Sequence, residues 1–197
     1  MNMDINFIER IPFDLDPQVI GELLKLRSRE SLMDILEEQI ELANNVAVPK
    51  AAYFETPITG IDGEDVMFCN ETFRSKMLSD LVKVQQKIYP YIITIGMELE
   101  EKYQALDDIM EQYILDGVQG VILSQATAFV AKELKEKYGI GEVAFHIPGE
   151  LDDWDLSEQP KLFRLFGETQ NDLGVVLSHS NLMKPTKSVS GVYYEIV

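Results

Sequence analysis

The longest pattern in the sequence is a helical one from Asp107 to Tyr138, and it constrains the fold more than any other feature. Its apolar residues recur at the spacing of one helix face, and Gly139 follows as a stop signal. These residues are Ile114, Val118, Val121, Ile122, Ala126, Phe129, Val130 and Leu134. Gly117 and Gly120 lie inside the pattern, where glycine lowers helix stability. We therefore expect either close approach of another backbone or a break near residue 117.

Two further amphipathic helices are predicted near the start of the chain, within residues 14–47. Asp16 is a capping residue directly before Pro17, which suits the first helical position. Glu30 to Val46 repeats the helical spacing and carries a polar face rich in glutamate. Shorter helices are predicted at residues 73–82, 97–103 and 155–166, the last capped by the Asp155 carboxylate on the amide of Glu158.

Strands are predicted on both sides of the long helix. Before it they cover residues 5–13, 51–61, 65–68 and 88–95, with a turn at Asp62-Gly63. After it they cover residues 174–178 and 188–197, and in the last strand Tyr193 and Tyr194 project to opposite faces. Because the strands are scattered between helices without regular βαβ alternation, we predict an α+β fold. We expect a single domain over residues 1–197, with a mainly antiparallel twisted sheet packed by helices.

Composition and charge limit which partners and which kinds of site the chain can have. The chain has 197 residues and a formal net charge of −17, so it should repel nucleic acid and anionic membranes. Its single cysteine, Cys69, excludes an intramolecular disulfide, and the two histidines lack partners at metal-ligand spacing. No apolar run approaches the roughly 18 residues of a membrane helix. We expect a soluble cytoplasmic protein without a metal site.

Several short segments, taken in order, resemble the activation domain of vitamin B12-dependent methionine synthase and its free-standing relatives. They are Val48 to Tyr53, Ile93 to Glu100, Pro148 to Phe163, Ser178 to Pro185 and Lys187 to Tyr194. The long helix also falls where that family has one. The resemblance extends over most of the chain, and it implies the α+β fold of that family.

The resemblance also implies a function in corrinoid chemistry. In that family the domain binds S-adenosylmethionine in a shallow groove and presents its methyl group to cobalamin held by a separate B12 domain. The implied role is an accessory protein for reductive remethylation, with a corrinoid-binding protein and an electron donor protein as partners. Such a protein binds, orients and excludes water without an acid, base or nucleophile of its own. The sequence agrees, because it carries no nucleophile elbow, P-loop, dinucleotide fingerprint or His-Glu-x-x-His motif.

The resemblance places ligand contacts on two segments and on the last strand. The candidate residues are Phe145, His146, Ile147, Pro148, Gly149, Glu150, Ser180, Asn181, Met183 and Tyr193. The family's Arg-Pro-x-Pro-Gly-Tyr loop falls on residues 145–150, so Phe145 replaces an arginine and Glu150 an aromatic residue. Thr127 stands at the family's groove glutamate, and Asn181 at its tyrosine. Loss of an arginine fork to the donor's carboxylate predicts weaker binding.

Three interpretations therefore stay open. The chain is an accessory protein that uses S-adenosylmethionine, a non-catalytic docking or regulatory module that has lost this ligand, or a protein whose groove is retuned for another small molecule. Phe145, Thr127, Glu150 and Asn181 favour the second. In the third, Phe145 and Ile147 make the groove more apolar. An arginine from elsewhere, such as Arg74 or Arg164, reaching the groove would favour the first. His146 is either beside the ligand or a partly buried residue with an internal hydrogen bond.

Overall fold

The computed structural model describes residues 4–26, 29–150 and 153–196. Its strands are β1 (Asn6–Ile8), β2 (Lys50–Tyr53), β3 (Thr56–Pro57), β4 (Gly60–Asp62), β5 (Asp65–Phe68), β6 (Glu71–Arg74), β7 (Lys87–Thr94), β8 (Val143–His146), β9 (Val176–Leu177), β10 (Met183–Lys184) and β11 (Ser188–Glu195). Its α-helices are α1 (Pro17–Leu23), α2 (Glu30–Val46), α3 (Lys76–Val82), α4 (Met97–Gln104), α5 (Ile109–Tyr138), α6 (Gln159–Phe166) and α7 (Thr169–Leu173). A 3-10 turn at Leu156–Glu158 precedes α6.

The main sheet is built from antiparallel pairs. Its strands lie in the order β1-β2-β7-β11-β8, and β3 pairs with the start of β7. The two eight-residue strands β7 and β11 form its centre, and all of β7 after Lys87 is buried. This agrees with the run of β-branched and aromatic residues from Ile88 onward. Two small antiparallel sheets, β4-β5-β6 and β9-β10, lie beside it. The predicted α+β fold is confirmed.

Helices cover both faces of this sheet. On one face, Val130 and Leu134 of α5 pack in a cluster with Tyr91 and Tyr193. On the other face, Trp154 and α6 pack against Val192 and Tyr194, so the two adjacent tyrosines do project to opposite sides. The first half of α5 forms a third cluster with α1, α2 and α4.

Helix α5 is continuous through both of its glycines. A Cβ atom on Gly117 would lie 2.4 Å from Cδ2 of Leu24, whereas a Cβ atom on Gly120 would meet nothing within 4 Å. The close approach at Gly117 is thus made by a side chain at the end of α1. The expectation of a helix break or a close backbone approach is wrong.

The same helix meets the length and composition criteria for a membrane span, with a mean hydropathy of 1.4 in its qualifying window. The prediction that no apolar run approaches this length is therefore wrong. Such windows also occur in core helices, and α5 packs one side against the sheet and the other helices. Its buried residues are Ile114, Leu115, Val118, Gln119, Ile122, Ala126, Val130 and Leu134.

Several local predictions differ from the structure. The predicted strand at 5–13 is shortened to β1, and the predicted strand at 51–61 is divided among β2, β3 and β4. Phe73 lies in β6 and not in a helix, because it pairs with Val66 and stacks on Phe68 at 4.4 Å between ring centroids. The Asp155 carboxylate accepts from the amide of Ser157 at 2.8 Å, since the first turn there is a tight 3-10 turn. The predicted last strand ends at Glu195, and Val197 lies outside the described residues.

Candidate ligand-binding grooves

Strand β8 forms an edge of the main sheet, and its last two residues, Phe145 and His146, are the first two of the segment predicted to contact ligand. Phe145 pairs with Tyr193 and His146 with Val192 in the antiparallel register with β11. The expected loop at residues 145–150 therefore begins as a strand, and Phe145 and His146 project to opposite faces. The structure thus separates two residues that were expected to line one groove.

A first groove, here called the edge groove, lies between α5 and β8 and has a volume of about 330 Å³. It is lined by Ser124, Thr127, Ala128, Ala131, Val143, Phe145 and Tyr193. It brings together Thr127, Phe145 and Tyr193, three positions to which the family resemblance assigns ligand contacts. No charged residue is present in this described lining.

The hydroxyl groups of Thr127 and Tyr193 in the edge groove already have partners inside the protein. The Tyr193 hydroxyl donates to the backbone oxygen of Thr127 at 2.9 Å, and the Thr127 hydroxyl donates to the backbone oxygen of Leu123 at 2.9 Å. Burial raises the pKa of Tyr193 above its ordinary value, so its hydroxyl stays protonated at neutral pH. The ring of Phe145 packs edge-on against Tyr91 and Tyr193, with centroids 6.4 and 5.6 Å away. The edge groove is an aromatic, uncharged surface.

A second groove, here called the loop groove, is larger at about 460 Å³. Its lining comes from the segment after β8, the start of α6 and the chain from 178 to 190. The residues are Ile147, Pro148, Leu156, Gln159, Ser178, Ser180, Asn181, Leu182, Met183, Lys184, Thr186, Ser188, Val189 and Ser190. It therefore contains five of the predicted contacts, namely Ile147, Pro148, Ser180, Asn181 and Met183.

One wall of the loop groove is the hairpin formed by β9 and β10. Met183 pairs with Leu177, and the amide of Ser178 donates to the backbone oxygen of Leu182 at 2.8 Å. Asn181 occupies the turn with a φ of 62°, in the left-handed region that asparagine tolerates better than most residues. Asparagine at this position, where the family has a tyrosine, therefore suits the turn that shapes the wall.

The other predicted contacts stabilise the connection between β8 and α6. The amide of Gly149, at a φ of 87°, donates to the backbone oxygen of Trp154 at 2.7 Å. His146 Nε2 lies 3.1 Å from the Tyr194 hydroxyl, and its Nδ1 lies 4.0 Å from a carboxylate oxygen of Glu150. His146, Gly149 and Glu150 are absent from the described linings of both grooves. Leu151 and Asp152, within a segment used for the family resemblance, lie outside the described residues.

The two arginines considered as replacements are engaged elsewhere. Arg74 pairs with Glu64 at 3.1 Å, and Arg164 pairs with Glu71 at 2.8 Å. The hydrogen bond to Glu71 also raises the pKa of Arg164. Among the described residues that line the two grooves, the cationic side chain is Lys184, which lies in the Ser178 to Pro185 segment of the family resemblance but was not among the predicted contacts.

Two further lining residues were missed by the sequence-based predictions. Ser190 and Gln159 are buried, and the hydroxyl of Ser190 and the side-chain nitrogen of Gln159 have no hydrogen-bond partner among the described residues. Both lie in segments that carry the family resemblance, but neither was assigned a contact; Ser190 lies in β11 and Gln159 starts α6, so only the fold brings them together. Within the described ranges there is also no cluster of three or more His, Cys, Asp or Glu side chains suited to a metal ion.

Comparisons with known proteins connect this geometry to a solved fold. No family model matches the sequence, and no curated protein matches it. The chain is similar to a crystal structure of the MetH reactivation domain bound to AdoHcy, with a TM-score of 0.67 and 13% sequence identity. The alignment covers 98% of this chain and 78% of that chain. This protein therefore has the mixed α/β fold of that domain, with antiparallel sheets packed by helices.

Proposed function

We propose that this chain is a soluble, cytoplasmic accessory protein of a cobalamin-dependent methyltransferase system. It acts in trans on a corrinoid held by a partner protein. The observation that carries the proposal is the fold likeness to a reactivation domain bound to AdoHcy, over 98% of this chain. The short segments that resemble the methionine synthase activation family, in the same order along the chain, support it further.

In this proposal an adenosyl ligand lies at the segment 145–150, where Phe145 lines the edge groove and Ile147 and Pro148 line the loop groove. Their volumes of about 330 and 460 Å³ suit a ligand of that size. The aromatic surface at Phe145 and Tyr193 fits the apolar parts of the ligand, and Lys184 is the cation available to its carboxylate. A corrinoid on the partner, reduced by one electron from an electron donor protein, would supply the nucleophile that takes the methyl group, and S-adenosylhomocysteine would be the leaving group. This chain binds and orients the methyl donor and excludes water.

Isothermal titration with S-adenosylmethionine and S-adenosylhomocysteine tests the proposal. A working groove should give micromolar binding, which corresponds to about −8 kcal/mol. Phe145→Arg introduces a cation at the position of the missing arginine, and it should strengthen binding or leave it unharmed. Val19→Arg, at an exposed apolar position of α1 outside the described linings of both grooves, is the control for added charge. No heat with either adenosyl ligand would refute adenosyl binding, and loss of binding in Phe145→Arg alone would refute the assigned position of the ligand.

A second candidate is a non-catalytic docking or regulatory module of a corrinoid system. It is favoured by the uncharged edge groove, where the hydroxyl groups of Thr127 and Tyr193 already donate to backbone oxygens. This candidate predicts binding to a corrinoid-binding protein that is unaffected by S-adenosylmethionine. The titration above and a binding assay with the corrinoid protein, with and without that ligand, distinguish the two candidates.

A further inference from the structure

Two buried polar groups without partners belong to residues that line the loop groove. Ser190 is 1% exposed and Gln159 is 2% exposed, and both are part of the groove lining. The Ser190 hydroxyl and the Gln159 side-chain nitrogen make no hydrogen bond to any described residue. Buried polar groups in native proteins are nearly always satisfied by protein, water or ligand. These two groups therefore indicate a site where a molecule with acceptor atoms is expected.

The neighbouring serine on the same face of β11, Ser188, has hydrogen-bond partners, so the lack of a partner is particular to Ser190 and does not hold for the whole strand. The hydroxyl of Ser188 lies 2.8 Å from the hydroxyl of Thr94 and 2.8 Å from the backbone oxygen of Pro185. Ser188 is thus satisfied within the protein, although it also lines the groove. Ser190, two residues further on, has no such partner among the described residues.

Lys184 gives the loop groove a positive charge. Its ammonium group forms no ion pair within the described part of the chain, whereas Lys187 pairs with Asp116 at 2.8 Å. The described lining contains no carboxylate. The carboxylate of Glu100 lies next to this lining, where it accepts hydrogen bonds from the amide and hydroxyl of Thr186 at 3.2 and 3.1 Å. In a chain of net charge −17, a groove lined by a lysine and no carboxylate is a local site for an anion.

The remaining lining of the loop groove is mainly apolar. It includes Ile147, Pro148, Leu156, Leu182, Met183 and Val189. These side chains favour an apolar body for the ligand, because removing such a body from water is favourable. A cavity of about 460 Å³ has room for a small organic molecule.

We propose that the loop groove binds a small organic acid, with its negative charge attracted to Lys184 and its apolar body against the side chains named above. Its oxygen atoms accept hydrogen bonds from Ser190 and Gln159. The inference deepens the proposed function and rests on it for the identity of the natural acid, since an adenosyl ligand with an amino-acid carboxylate belongs to this class. Lys184 then takes the role of the arginine that Phe145 replaces.

The test uses hexanoate and its neutral amide, hexanamide, as probes in NMR titrations of the ¹⁵N-labelled protein. Hexanoate should shift the side-chain amide signal of Gln159 and the backbone signals of residues 178–190, and it should bind more tightly than hexanamide. Lys184→Gln should weaken hexanoate about threefold or more and leave hexanamide unchanged, because an exposed lysine makes a screened but measurable contribution. Lys187→Gln removes the same charge outside the groove lining, and it should change hexanoate affinity less than twofold.

Ser190→Ala provides an independent test of the same inference. It should weaken hexanoate binding while leaving thermal stability unchanged or higher, since it removes a buried hydroxyl that has no internal partner. Equal affinity for hexanoate and hexanamide, or equal weakening by the two lysine variants, would overturn the inference. S-adenosylhomocysteine binding that is insensitive to Lys184→Gln would also overturn it while leaving the proposed function intact. Lysine-dependent hexanoate binding without any adenosyl binding would instead support the inference and refute the proposed function.

Discussion

Gly117→Ala and Gly120→Ala are expected to differ in stability although both lie inside α5. Alanine is favoured over glycine in a helix interior by about 1 kcal/mol. A Cβ atom at Gly120 would meet nothing within 4 Å, so Gly120→Ala should gain most of this amount. A Cβ atom at Gly117 would lie 2.4 Å from Cδ2 and 2.8 Å from Cδ1 of Leu24, so that side chain must move.

Overpacking of this kind typically costs about 1–3 kcal/mol. Gly117→Ala should therefore be less stable than Gly120→Ala by about that amount, and it should be less stable than the unmodified protein or equal to it. Urea denaturation measures the difference, and thermal unfolding should show it as roughly 2–4 °C per kcal/mol in a chain of this size.

Leu24→Ala supplies the control, because it removes the atoms that a new Cβ would meet. In that background Gly117→Ala and Gly120→Ala should have similar free energies of unfolding relative to Leu24→Ala alone. Equal stabilisation by the two glycine variants in the unmodified protein would refute the reasoning, since it would mean that Leu24 moves aside without cost. A persistent difference in the Leu24→Ala background would show that another contact is responsible.

Two further outcomes can be checked by urea denaturation. Tyr193→Phe removes the hydrogen bond to the Thr127 backbone oxygen and should cost about 0.5–1.5 kcal/mol, whereas Tyr91→Phe removes a buried hydroxyl without a described partner and should be neutral or stabilising. Equal losses in both variants would contradict this account. Burial, with a smaller effect of nearby carboxylates, raises the pKa of Tyr53 and Tyr89 to about 12 from an ordinary 10.0. Because the folded state holds these protons more tightly, its stability should be intact below about pH 10 and fall as pH rises through about 12, with a smaller fall in Tyr89→Phe.

Much of the fold was predictable because its longest elements carry their own signals. Glu30–Val46 and Ile109–Tyr138 have local amphipathic or capping patterns, and the buried strand at Lys87–Thr94 is rich in β-branched and aromatic residues. Strand β8 has no comparable local signal and is formed through pairing with β11. That pairing is close, because a Cβ atom on Gly191 would lie 2.2 Å from the backbone oxygen of His146. Such a contact depends on tertiary structure, so the sequence pattern did not reveal it.

The candidate site was only partly predictable for the same reason. The family resemblance placed contacts on residues 145–150 and 180–183, and the structure brings five of the ten predicted residues to the loop groove and two to the edge groove. Gln159, Lys184 and Ser190 come from three separate elements and converge only in the folded chain. Their residue types are common on protein surfaces, and their spacing carries no motif.

The surroundings of Phe145 and those of Lys184 suit ligand groups of different charge. Phe145 packs with Tyr91 and Tyr193, and burial raises the pKa of both tyrosines, so this surface favours uncharged groups. A ligand carboxylate placed there would lose hydration without gaining a cation. The loop groove offers a lysine and two buried polar groups without described partners. The acid of a ligand is therefore expected beside Lys184 in the loop groove, and the edge groove around Phe145 is expected to favour uncharged groups.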